Sequence, residues 1–177
     1  MSKIFIGFIL AFINFNINIG NSNIGLFPDF IGYILIIVGL EEMVHESTFF
    51  IKIKPFVTGM AVYSGFLYFI DLIGASVLFG AMTYLLAIIS TAISLYITYN
   101  IVMGVIDMEG IYNTYLNGEN LKSTWKLLAI FNVITFVFLL IPFFAIISIV
   151  LSFIAAIYFL ISFNNSKNLY YDIVKLN

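Results

Sequence analysis

The 177-residue chain contains no cysteine and no arginine, a single histidine and a single tryptophan, and only three prolines. Without cysteine there is no disulfide framework, no thiolate metal site and no cysteine nucleophile. Without arginine, and at a net charge of −2, there is no basic footprint for nucleic acid. Charge of either sign is scarce: 9% of residues, where a soluble domain carries about a quarter. So few charges could not cover the apolar surface of such a chain in water. What is present instead is hydrocarbon, 63% of residues hydrophobic with a mean hydropathy of +1.13. A bilayer is the solvent that fits. All seven basic residues are lysines, and with the abundance of isoleucine and asparagine this points to an AT-rich bacterial genome.

A spanning helix needs about 20 mostly apolar residues. The apolar blocks predict six spans, at about 4–19, 28–44, 55–73, 80–106, 121–140 and 142–162. Lys3 followed by "IFIGFILAF" resembles a short signal peptide, but no small-residue cleavage site follows, so it reads as a retained first segment. Pro28, Pro55 and Pro142 each sit where a helix is expected to begin, because a first-turn residue has no intrahelical use for an N–H. Pro142 thereby divides the long block 127–163 into two helices. With six spans, Lys3, Lys52, Lys54, Lys122, Lys126, Lys167 and Lys175 all fall on one side, as the positive-inside rule requires. Five spans would strand Lys167 and Lys175 outside. Both termini are therefore expected in the cytoplasm. The tail "NLYYDIVKLN" reads as a short amphipathic segment lying along the headgroups.

Ionisable groups deep in a membrane are functional candidates by default, so their depth matters. Asp29 falls in the first turn of the second helix, where a carboxylate suits the helix dipole, and Asp71 near the outer end of the third. Glu41, Glu42, Asp107 and Glu109 fall at inner ends. No carboxylate falls near the midplane. Glu42 and His45 have the i, i+3 spacing of carboxylate-bridged metal sites, but those need two such motifs and the chain has one histidine. A solvated helix end is the stronger reading of that pair, and no metal or cofactor is implied. "DMEGIYNTYLNGEN" opens like a calcium loop but lacks the glycine at its sixth place. There is no Gly-rich phosphate loop and no G-x-S-x-G elbow. In the fourth span Ala87, Ser90, Thr91, Ser94 and Thr98 recur at three- and four-residue spacing, a helix-packing face first and a hydroxyl-lined path second. Gly7 and Ala11 repeat that small-residue spacing in the first span.

"AFINFNINIGNSNIGLFPDF" concentrates amide where lipid is expected. Asn14, Asn16 and Asn18 alternate with Phe15, Ile17 and Ile19, and Asn21 and Asn23 follow Gly20. The period is two, that of an extended chain. A helix ending near Ile13 covers about 16 Å, and five extended residues add about as much, together crossing a core of about 30 Å. The first segment thus reads as half helix and half strand, with an ordinary outer loop as the alternative.

The residues that follow carry a resemblance. "LFPDFIGYILIIVGL" resembles an L-P-D-F-I-G-Y segment with a following Gly-Leu, found in uncharacterised small multi-pass membrane proteins of low-GC Gram-positive bacteria. Phe27 replaces the leucine, while Pro28, Asp29, Phe30, Ile31, Gly32 and Tyr33 match; the resemblance covers about residues 14–46. It implies an integral membrane protein and no particular activity.

The sequence therefore predicts an all-α integral membrane protein, one transmembrane domain, a six-helix bundle with an Asn-rich extended element between helices 1 and 2. Its expected place is a bacterial plasma membrane. Its expected partners are the lipid bilayer and either a second copy or another membrane protein, acting through helix packing without catalysis. The alternative is a small-solute transporter or channel with a polar outward vestibule formed by the 14–23 stretch; Asn14, Asn16, Asn18, Asn21, Asn23, Asp29 and Asp71 make up the candidate outer polar element.

Overall fold

The computed structural model describes the chain apart from residues 13–15, 20–21, 26–27, 75–81, 139–140 and 177, with backbone alone for 16–19, 22–25, 142 and 174–176. Six helices are present among the described residues: α1 (Ser2–Phe12), α2 (Asp29–Glu42), α3 (Thr48–Leu72), α4 (Met82–Tyr112), α5 (Gly118–Phe138) and α6 (Pro142–Leu176). Between α1 and α2, β1 (Asn16–Ile19) and β2 (Ser22–Gly25) pair antiparallel, with Asn16 opposite Gly25 and Asn18 opposite Asn23. Four helices, those beginning at Thr48, Met82, Gly118 and Phe143, are long and apolar enough to cross a membrane. The six predicted spans are thus matched in helix number. However, α1, with 11 residues, and α2, with 14, are shorter than the roughly 17 a lone span needs.

Proline placement differs from the expectation at one of three sites. Pro28 immediately precedes α2 and Pro142 opens α6, but Pro55 lies inside α3. The start of α3 is set earlier by Ser47. Its Oγ accepts the Phe49 N–H at 3.3 Å, the bond a serine N-cap makes to an otherwise orphaned donor. A proline after two turns costs α3 one ladder bond, which membrane helices tolerate. The tail also differs. No glycine or proline interrupts residues 143–176, so α6 runs on through the expected interfacial segment. Its 35 residues span about 52 Å at 1.5 Å each, and the 31 of α4 about 46 Å, so both outreach a core of about 30 Å.

The chain divides into two compact units, Met1–Val44 with Ile51–Ile97, and His45–Phe50 with Thr98–Asn177. In the first, α1 and α2 run antiparallel at backbone contact. A Cβ on Gly7 would lie 2.6 Å from the Gly32 carbonyl oxygen, and one on Gly32 would lie 2.8 Å from the Gly7 oxygen and 3.0 Å from the Ala11 nitrogen. Two turns further along α2, a Cβ on Gly39 would lie 2.7 Å from the Ile4 nitrogen. Glycine permits this because it has no side chain to hold the two backbones apart. Ile4, Phe8, Ile36 and Leu40 fill the contact and are fully buried. Lys3 and Glu42 close its end with an ion pair.

In the second unit α5 and α6 pack against each other, and Ile101, Val105, Met108, Leu121, Phe159 and Phe163 form a dry core. Gly104 makes room for Phe50, whose ring would lie 2.5 Å from a Cβ there. That seat fixes the 45–50 turn against α4.

Candidate functional site

Among the described residues, polar side chains collect in two places, one in each unit. In the first, two tyrosines bond to two serines one turn apart on α4: Tyr33 of α2 to Ser94, and Tyr63 of α3 to Ser90. The Ser90 hydroxyl also donates to the Ala87 carbonyl at 3.0 Å. Asp29 opens α2 half-buried, one turn from Tyr33. Beside the Tyr63–Ser90 pair, α3 and α4 part to leave an apolar groove of about 360 Å³, walled by Phe56, Gly59, Met60, Leu86, Ile89 and Ile93.

In the second unit, the 45–50 turn is clasped by acids and phenols. Glu46 accepts the hydroxyls of Tyr112, at the end of α4, and Tyr170, far along α6, the latter at 3.0 Å. The Ser47 hydroxyl donates to Asp107 at 2.6 Å. Glu109 reaches across the α4–α5 connection, accepting the N–H groups of Leu116 at 2.7 Å and Gly118 at 2.9 Å. Gly118 has to lack a side chain here, since a Cβ would lie 2.5 Å from the Glu109 carboxylate. Asn113 and Asn117 take the connection through left-handed backbone, φ 49° and 68°, a conformation asparagine tolerates better than most residues. Asn117 also donates to the Ser162 carbonyl and hydroxyl at 3.3 and 3.2 Å, tying the connection to α6. Trp125 donates its indole N–H to Thr98 at 3.0 Å.

Tyr112 and Tyr170 lie beyond the apolar stretches of their helices. The hydrogen bond to Glu46 is the chief cause raising the Tyr112 phenol above its ordinary value. Burial comes first for Tyr170, with Glu46 second, and it too is raised. Both remain protonated donors at neutral pH. The clasp is chemically a set of fixed donors and acceptors, each satisfied within the chain.

The residues singled out from sequence are distributed as follows. Asn16, Asn18 and Asn23 lie in the strands, while Asn14 and Asn21, and the side chains of all five, fall outside the described residues. Asp71 is in the last turn of α3, half-buried. Ser90 and Ser94 hold the two tyrosines, Ala87 supplies a carbonyl, Thr91 is half-buried, and Thr98 is buried under Trp125. The Glu42 and His45 pair does not form a helical i, i+3 face. The helix ends at Glu42, which is engaged by Lys3, and His45 is exposed in the following turn. Among the described residues no three metal-ligating side chains converge. Sequence reasoning missed the roles of Glu46, Ser47, Tyr112 and Tyr170. The available signal was a Ser-Thr pair where a helix could begin, together with tyrosines past the last apolar residues.

No family model matches the chain, and no curated protein and no solved structure matches it.

Proposed function

We propose that this protein is a non-enzymatic integral membrane protein that acts by packing its helices against a second copy or another membrane protein. One observation carries the reading: five of the nine carboxylates, all at or beside helix ends, are engaged by the chain itself. Glu41 pairs with Lys54 at 2.8 Å and Glu42 with Lys3, Glu46 holds two phenols, Asp107 holds Ser47, and Glu109 holds two backbone N–H groups. Groups so committed are structural and do not make a general acid and base poised over a substrate. The exposed faces of the long helices are meanwhile apolar, as in Val133 and Val137 of α5 and Ile146, Val150 and Phe153 of α6.

The proposed setting is a bacterial plasma membrane with both termini cytoplasmic. The length of the α1–β1 and β2–α2 arms supports it: 11 helical and four extended residues come to about 30 Å, as do 14 and four to about 34 Å. Each arm can cross where its helix alone cannot. The P-D-F-I-G-Y segment acquires a physical sense in this reading. Its proline and aspartate start α2, and its glycine is the point where α1 crosses. Reporter fusions after Glu46, Asn120 and Asn177 should report cytoplasm, and those after Asn23 and Gly74 the exterior. An external signal from Asn177 would remove the six-crossing topology. The packing reading is tested by photo-crosslinking from Val133 and Ile146 in native membranes, together with energy transfer between labelled copies on dilution with lipid. A chain that crosslinks to nothing and loses all transfer on dilution would overturn it.

The β1–β2 pair favours a second reading, a solute path with an asparagine-lined vestibule, since non-helical backbone at membrane depth has to be buried in protein or line a wet cavity. Single cysteines at 16, 18, 21 and 23 should then react with a membrane-impermeant maleimide, while those at 17 and 19 resist. Uniform protection would end the vestibule idea.

A further inference from the structure

The groove between α3 and α4 has a specific occupant. We propose that it seats one acyl chain of an anionic phospholipid whose phosphate pairs with Lys52.

Lys52, Phe56, Gly59 and Tyr63 are spaced by four, three and four residues along α3, so they form one stripe on one face of the helix. The upper three line the groove. Lys52, exposed, stands one turn below its mouth. The neighbouring Lys54 is engaged by Glu41 at 2.8 Å. An amphiphile with a negative end and a hydrocarbon end matches this order of charge and grease along a single stripe. A lysine near an anionic headgroup favours it over a neutral one by about fivefold.

The groove is apolar because its polar atoms are consumed internally. Tyr63 bonds to Ser90, and Ser90 donates to the Ala87 carbonyl. Nothing is left to recognise a sugar, a peptide or an ion inside it. Its depth comes from Gly59, where an added Cβ would meet nothing within 4 Å, and the Phe56 ring turns its edge on Tyr96 at 4.9 Å to form one wall. A second copy of the chain fits less well. Two α3 stripes brought together about a two-fold axis normal to the membrane would oppose Lys52 to Lys52, a like-charge pair that disfavours that partner.

This inference rests on a membrane location and not on the packing reading above. The test uses the full chain purified in detergent with an equimolar mixture of phosphatidylglycerol and phosphatidylcholine of identical chains, the lipid retained being weighed by native mass spectrometry. The expected result is about fivefold preference for phosphatidylglycerol. Lys52→Gln should bring the two lipids near parity, and Gly59→Leu, whose Cβ would meet nothing within 4 Å and whose side chain would take up groove space, should abolish retention of both. Lys122→Gln and Val133→Phe, on α5, should leave retention unchanged. Parity in the unaltered chain, or a preference that survives Lys52→Gln, overturns the proposal. So does a Gly59→Leu protein that keeps its lipid, or one that loses a dimer while its lipid is unaffected. Should Gly59→Leu fail to fold, a phosphatidylglycerol carrying a photoreactive group in its acyl chain decides the matter. It should label α3 and α4 around Phe56 and Ile89, and labelling confined to α5 and α6 would refute the seat. Lost lipid with unchanged crosslinking from Val133 and Ile146 would leave the packing reading intact.

Discussion

Where α1 meets α2, the contact is made by what Gly7, Gly32 and Gly39 lack. Where the 45–50 turn meets α4 and α6, it is made by what Glu46, Ser47 and Phe50 supply. The first contact works by shape. Two backbones approach closely enough there for many weak contacts to add up. The second works by directed bonds, at the ends of helices too long for the hydrocarbon core, where polar groups are cheap to place and water competes weakly with a buried partner. Two carboxylates, Glu46 and Asp107, make those bonds.

The α1–α2 contact should be most sensitive at Gly32. Gly32→Ala puts a methyl 2.8 Å from a carbonyl oxygen that has no room to retreat. The expected destabilisation is about 3 kcal/mol, the upper range for overpacking, read as thermal unfolding in bicelles. A neutral result would mean that α1 and α2 are not in backbone contact. Next is Glu46→Ala, which leaves two phenols without their acceptor and should cost about 2 kcal/mol. Tyr112→Phe and Tyr170→Phe should each cost about 1 kcal/mol, and a double-mutant cycle should find them coupled through the shared carboxylate. Amide exchange should then rise in the 45–50 turn and not in α1.

The same substitution at two further glycines sharpens the contrast. Gly104→Ala meets the ring of Phe50 and no backbone, and should cost about 1 kcal/mol, the lower range for overpacking. Gly59→Ala meets nothing and should be neutral or stabilise by up to about 1 kcal/mol through helix propensity. The order Gly32, Gly104, Gly59 follows backbone, side chain and open space.

The smallest effect is alkaline. The Tyr112 and Tyr170 phenols are raised in the folded protein, so their contribution is complete below the ordinary phenol value, about 10, and is lost as pH rises through the raised values. The clasp should loosen there while the glycine contact, with no proton to lose, stays. Phenolate absorbance should show a late-titrating component that shrinks in Tyr170→Phe and in Glu46→Gln.

Much of the outline was legible beforehand because it depends on local properties. Helix number followed from apolar run length and from Pro28 and Pro142, both of which stand at helix starts. Pro55 misled because a proline marks a helix start only when no better cap lies upstream, and Ser47 is such a cap. Glu42 and His45, read as a solvated helix end, are both exposed where α2 stops, and i, i+3 spacing means proximity only while the helix lasts. The clasp was illegible because Glu46 and Tyr170 stand 124 positions apart, and no periodicity connects them.

Composition alone determined the solvent, since transfer of apolar area from water is additive over residues and needs no fold. It also determined that no disulfide or thiolate chemistry occurs, because the atoms are absent. The tertiary structure decided which glycine is a contact and which a gap. Gly32 and Gly59 are the same residue in helices of similar composition, and only the distance to a neighbouring backbone separates them. It likewise decided that the helix-end acids hold the chain together, because a carboxylate's role is set by the donor within about 3 Å of it, and that donor arrives from elsewhere in the sequence.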